Sequence, residues 1–155
     1  GLAPWQVQGY GLGVMNARAC YYAEKDPRLT HYLKEGRAFG PHGQDLVIAD
    51  SLEHYNDELS RELTRKTVTC NLAVRELGYK PYIAPALSSA AISILLTLRG
   101  AWHYGSLYLG DGKEGAFLGM KNRLTEQGFE YEDAALCPEL YARIRHAYLN
   151  LCRMK

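Results

Sequence analysis

The sequence predicts a mainly α protein of one domain, residues 1–155, with α+β as the alternative, and three observations carry that prediction. Apolar residues recur at helical spacing from Leu52 to Leu77, a nearly uncharged run follows Pro85, and a last periodic segment opens at Pro138. A chain of 155 residues is long enough to bury one core, and 47% hydrophobic against 23% charged residues is ordinary folded composition. No repeat, linker or low-complexity tract divides it.

Taken in order, Gly9, Gly11 and Gly13 alternate with Tyr10, Leu12 and Val14, which reads as a short extended stretch weakened by glycine. A turn or two of helix is expected over Met15–Tyr22. A second short helix is punctuated by Asp26 as cap, Pro27 at its first position and Gly36 as its stop. Residues 36–43 read as a loop, and Leu46–Ala49 as a strand or the first turn of the next helix. The strongest element is a long amphipathic helix near 51–77. Asp50 and Glu53, with Ser51 beside them, form an acidic capping box. Leu52, Tyr55, Leu59, Leu63, Cys70, Val74 and Leu77 then make one apolar stripe, ended by Gly78 and Pro81. The segment near 86–99 reads as a helix that is hydrophobic all round and therefore central, with a buried strand over 92–98 as its alternative. Residues 102–109 look extended, and Asp111-Gly112 closes a short hairpin near 103–118. Ala116–Gln127 reads as a helix ended by Gly128. A C-terminal helix near 138–152 presents Leu140, Ile144, Tyr148 and Leu151 on one face.

Eighteen basic and 17 acidic residues leave a net charge of +1, which argues against a dedicated nucleic-acid surface. Pro81–Leu98 is uncharged and reaches the lower length limit for a membrane span, but its prolines, serines and threonine favour burial within protein. The chain begins at Gly1 without a Met, which reads as a tag scar or a removed leader, and no signal-peptide pattern follows. Cys20, Cys70, Cys137 and Cys152 form no Cys-x-x-Cys pair, so they read as buried thiols. A Cys137–Cys152 disulfide stays open. Twelve tyrosines against three phenylalanines suit half-buried sites and interfaces.

Two constellations bear on chemistry. Gly110-Asp111-Gly112-Lys113-Glu114-Gly115 matches the G-x-G-x-x-G pattern, in which a glycine loop and a helix N-terminus meet a pyrophosphate. Gly110, Gly112 and Gly115 are thus the candidate cofactor-binding residues, although Asp111 and Glu114 bring negative charge to the loop. Of the five histidines, His54 shares a helix face with Glu58, which reads as a solvated pair. His103 stands between Trp102 and Tyr104, where core packing or an aromatic pocket would use it; His31, His42 and His146 stand apart. No nucleophile elbow or calcium loop is present, and no catalytic residue, metal ligand or resident cofactor is assigned.

One stretch carries a family likeness. Tyr10-Gly11, then Cys20-Tyr21-Tyr22-Ala23-Glu24-Lys25-Asp26-Pro27-Arg28, then Leu33-Lys34-Glu35-Gly36-Arg37, resembles part of the coiled-coil-helix-coiled-coil-helix accessory subunits of mitochondrial respiratory complex I. Here Thr30, His31 and Tyr32 stand where that family's next cysteine falls, so its disulfide framework does not carry over. The resemblance implies a non-catalytic, mitochondrial structural subunit. Its partners would be other protein subunits of the assembly, with membrane association through a membrane complex. The alternative is a small nucleotide- or cofactor-binding enzyme using the Gly110–Gly115 loop.

Overall fold

A computed structural model describes residues 1–79 and 84–154, with the backbone alone for 84–86, and it is α+β rather than mainly α. After a 3-10 turn at Pro4–Gln6 come β1 (Gln8–Gly9), α1 (Leu12–Ala23), α2 (Tyr32–Glu35), β2 (Arg37–Phe39) and β3 (Val47–Ala49). Then follow α3 (Asp57–Glu76), α4 (Ala84–Leu98), β4 (His103–Gly110), β5 (Gly115–Thr125), β6 (Gly128–Tyr131) and α5 (Pro138–Arg153). Four strands form an antiparallel sheet in the order β1-β4-β5-β6, and β2 and β3 pair as a separate ribbon.

That ribbon divides the core by the two-residue period of a strand. Ala38 and Ile48 face one way, into a cluster with Leu12, Met15, Ala19 and Leu63 of α1 and α3. Phe39, Val47 and Ala49 face the other way, against Leu118 of β5 and Leu140 and Ile144 of α5. Side chains also lock the ribbon to α3: the Ile48 amide donates to the Thr64 hydroxyl at 3.0 Å, and the Ser60 hydroxyl donates to the Ile48 carbonyl at 2.5 Å.

Several expectations are corrected. The helix expected over 51–77 runs over Asp57–Glu76, because its N-cap is Asn56, whose side chain accepts from the Leu59 amide. Asp50 and Ser51 do accept backbone amides, from Asn56 and His54, but they close the turn before the helix. The extended stretch expected at 9–14 is helical from Leu12. Gly13 lies inside α1, since a Cβ there would stand 3.0 Å from the hydroxyls of Ser89 and Ser93, where α4 crosses. The short helix after Asp26 shrinks to Tyr32–Glu35, because Asp26 turns back to accept from the Arg28 amide. The helix expected over 116–127 is instead strand β5 to Thr125, followed by the turn at 126–127. The Asp111 carboxylate accepts from the Lys113 and Glu114 amides and folds a hairpin that registers Tyr108 against Phe117.

The apolar helix α4 is not central. It turns Ser93 and Thr97 inward and leaves Leu87, Ile94, Leu95 and Leu98 exposed. Its hydroxyls are drawn in by polar partners: the Thr97 hydroxyl lies 3.2 Å from the Gln8 side-chain oxygen Oε1 and 3.0 Å from the His103 ring. Among the described residues no helix is long and apolar enough to cross a membrane. The first residues of the run expected there, Pro81–Ile83, lie outside the described ones.

Thr67 on α3 is fully buried, and its hydroxyl finds no partner among the described residues. Such a group costs about 1–3 kcal/mol of desolvation. Thr67→Val keeps the shape and removes the polar atom. It should raise stability by about 1 kcal/mol, read as a melting temperature roughly 2–4 °C higher by calorimetry.

Candidate active site along one face of helix α1

Helix α1 carries the site, and the loop between β2 and β3 completes it. Gly40 and Gly119 exchange two backbone hydrogen bonds, N–H to O at 2.9 and 3.2 Å, which tie this loop to β5. Gly40 has φ +95, and the loop closes through the Leu46 amide to the Gly43 carbonyl at 3.0 Å. Asp45 holds a left-handed φ of 69, and its carboxylate accepts from the Asn150 side-chain Nδ2 at 2.9 Å, which pins the loop to α5.

The loop presents His42, which is exposed. Its Nδ1 lies 2.7 Å from the Gly11 carbonyl oxygen at the start of α1. A carbonyl only accepts, so Nδ1 carries the hydrogen and Nε2 carries the lone pair. Among the described residues Nε2 has no partner. An imidazole oriented through one nitrogen and open at the other is equipped to take or give a proton.

Arg18 lies seven residues beyond Gly11, two turns along the same face and about 10 Å up the axis. Its guanidinium bends back toward the N-terminal end, with NH1 3.6 Å from the Met15 sulfur. It is half-buried and has no carboxylate partner among the described residues. A guanidinium fork without a counter-ion is suited to a carboxylate ligand.

Arg18 also borders a cavity of about 1000 Å³ between α1, α3, α4 and β4. The wall is apolar and aromatic, with Val14, Tyr21, Val74, Ile92, Leu96 and Trp102. Several of its polar members are engaged elsewhere. Burial pushes the Tyr104 hydroxyl up to about 12, and burial plus a hydrogen bond with Cys70 raises Tyr22, so both stay neutral. His103 is buried, with Nδ1 3.1 Å from the Ala101 carbonyl and Nε2 among Thr97 and Gln8. Lys121 lies 3.2 Å from Glu132, which also takes Arg37 at 2.6 Å. Burial raises the Glu132 carboxyl, but hydrogen bonds from Arg37 and Lys121 outweigh it and hold the group below its ordinary range.

The other candidates lie elsewhere. Gly110, Gly112 and Gly115 sit at the tip of the β4–β5 hairpin, where Gly110 pairs with Gly115 and the Trp5 ring lies 3.1 Å from where a Cβ on Gly112 would stand. A strand, not a helix, follows them, so the loop meets no helix N-terminus. His54 precedes α3 and stands 3.9 Å from Glu53 rather than facing Glu58 along a helix. His31 lies 3.4 Å from Asp50, and His146 3.0 Å from Asn150. All four cysteines are free thiols, Cys137 and Cys152 included, and no group of metal-ligating side chains gathers among the described residues. His42 and Arg18 were not singled out by sequence. The available signal was a histidine inside Gly40-Pro41-His42-Gly43, a loop too constrained to be filler.

No family model matches the chain, and no curated protein does. Among solved structures, the malate dehydrogenase from Aeropyrum pernix superposes with a TM-score of 0.68 at 20% identity, over 96% of this chain and 54% of that one. The malate dehydrogenase from Archaeoglobus fulgidus, solved in complex with NADH, gives a TM-score of 0.69 at 18% identity, over 97% of this chain and 52% of that one. The likeness shows the fold. The chain spans about half the length of these neighbours. The expected non-catalytic subunit is corrected to this extent: the structures that share the fold are malate dehydrogenases, which fits the alternative reading better. Nothing found supports an accessory subunit, a mitochondrial site or a place in the respiratory chain. The resemblance of residues 10–37 to complex I subunits gains no matching family model.

Proposed function

We propose that this chain is the substrate-binding part of a dehydrogenase-like enzyme acting on small 2-hydroxy or 2-oxo acids. Two observations on α1 carry the reading: Arg18 has no carboxylate partner among the described residues, and the Gly11 carbonyl at the helix start orients a His42 whose Nε2 is free. Arg18 grips the substrate carboxylate through two parallel charge-assisted hydrogen bonds. The substrate's hydroxyl, one carbon away, then lies toward the N-terminal end of α1. There His42 Nε2 accepts a hydrogen bond from that hydroxyl, and it is the group placed to take or return the hydroxyl proton. The Gly11 carbonyl holds the ring in the tautomer this requires and steadies the imidazolium that forms.

The neighbour from Archaeoglobus fulgidus holds NADH. The described residues here do not fit a dinucleotide: their one G-x-G-x-x-G segment is a hairpin tip beside Trp5, with no helix dipole behind it. The chain's own share of the chemistry is therefore the carboxylate grip and the proton at His42, and no redox step is assigned to its residues.

Titration calorimetry of the intact protein with lactate tests this reading. Saturable binding that releases or takes up a proton, and loses that proton linkage in His42→Asn, is the expected result. Binding unaffected by His42→Asn and by Arg18→Gln would overturn it.

A further inference from the structure

The cavity beside Arg18 is far larger than a four-carbon acid needs. Malate has nine heavy atoms, which at a water's share of about 30 Å³ each displace roughly 270 Å³. The space here is about 1000 Å³. Its chemistry is also wrong for a second carboxylate. Two cations border it, Arg18 and Lys121, and the Lys121 charge is spent on Glu132. One carboxylate therefore finds a free cation, and a second finds only neutral amides and hydroxyls such as those of Asn71 and Ser89. The remaining wall offers rings: Tyr21 and Tyr22 meet edge to face at 5.3 Å, and Trp102 lies under the Arg123 guanidinium at 4.6 Å. Val74 of α3 and Ile92 and Leu96 of α4 supply the aliphatic part of the wall.

We propose that the cavity receives the aryl side chain of an aromatic monocarboxylic 2-hydroxy or 2-oxo acid, whose carboxylate is held by Arg18. This specificity rests on the acid-binding role given to Arg18 and His42 above. It sets the chain apart from enzymes whose substrate carries two carboxylates. Burying a phenyl ring against such a wall strengthens binding by far more than the methyl group of lactate does.

The test is calorimetry of the intact protein with lactate, phenyllactate and malate. Phenyllactate is expected to bind at least tenfold more tightly than lactate, and malate no more tightly than lactate. Ala73→Phe narrows the cavity from α3 and leaves Arg18 and His42 in place. It should bring phenyllactate down to the level of lactate while lactate binding stays as it was, with the melting temperature reporting that the variant is folded. Malate as the tightest ligand, or phenyllactate equal to lactate, overturns the proposed specificity while the acid site stands. Failure of all three acids to bind, or binding that ignores Arg18→Gln, removes the acid site and this specificity with it.

Discussion

Arg18→Gln is expected to weaken binding of a 2-hydroxy monocarboxylate about a hundredfold and to leave the fold untouched. A hydrogen bond to a charged group contributes about 1.5–3 kcal/mol, and a bidentate fork makes two. A loss of about 3 kcal/mol converts to roughly a hundredfold at 1.4 kcal/mol per tenfold. The folded state has little to lose, since the guanidinium touches only the Met15 sulfur among its hydrogen-bond partners. Arg18→Lys restores the charge but not the planar fork, so it should recover part of the affinity and none of the orientation. Calorimetric affinities of the three proteins, beside their melting temperatures, decide this. Equal affinities for wild type and Gln would mean that the carboxylate is held elsewhere.

Gly119→Ala should have the larger effect on stability. A Cβ at this position would run into the Gly40 carbonyl oxygen and stand 2.8 Å from Leu12 Cδ2. Both groups belong to the core or its edge, so neither gives way cheaply. The reciprocal Gly40–Gly119 hydrogen bonds would break, stranding buried amides and carbonyls at about 1–3 kcal/mol apiece. A destabilisation of about 3 kcal/mol is expected, read as a lower urea midpoint. The same staple holds the loop that presents His42, so acid binding should fall as well, even at temperatures where the variant stays folded. A variant with wild-type stability and weakened binding would separate the loop from the core. A variant normal in both would show that the staple is dispensable.

These expectations come from tertiary features, which explains how unevenly the sequence could be read. Helices α3 and α5 were legible because each shows one apolar stripe to a core: Leu63 on α3, and Leu140 and Ile144 on α5. The α5 start was legible too, through Pro138 at its first position. Strand β5 was not, because its apolar spacing also fits a helical turn. What decides it is the partner strand, delivered by the Asp111 turn. Helix α4 misled in the opposite sense. Its composition asks for burial on every side, yet the network of Gln8, His103, Thr97 and Asn122 draws its hydroxyls inward and leaves leucines outside. The site was illegible for a related reason. His42 and Arg18 lie 24 positions apart, and only the β2–β3 ribbon folding onto α1 brings the histidine to Gly11.

The central claim is that one face of α1 holds a hydroxy acid between a guanidinium and an imidazole. A crystal structure of the intact protein with bound lactate or phenyllactate tests it directly. The account predicts the carboxylate against the Arg18 fork and the hydroxyl oxygen within about 3.2 Å of His42 Nε2. An acid bound with its hydroxyl turned away from His42, or with its carboxylate on Lys121 instead, would contradict it.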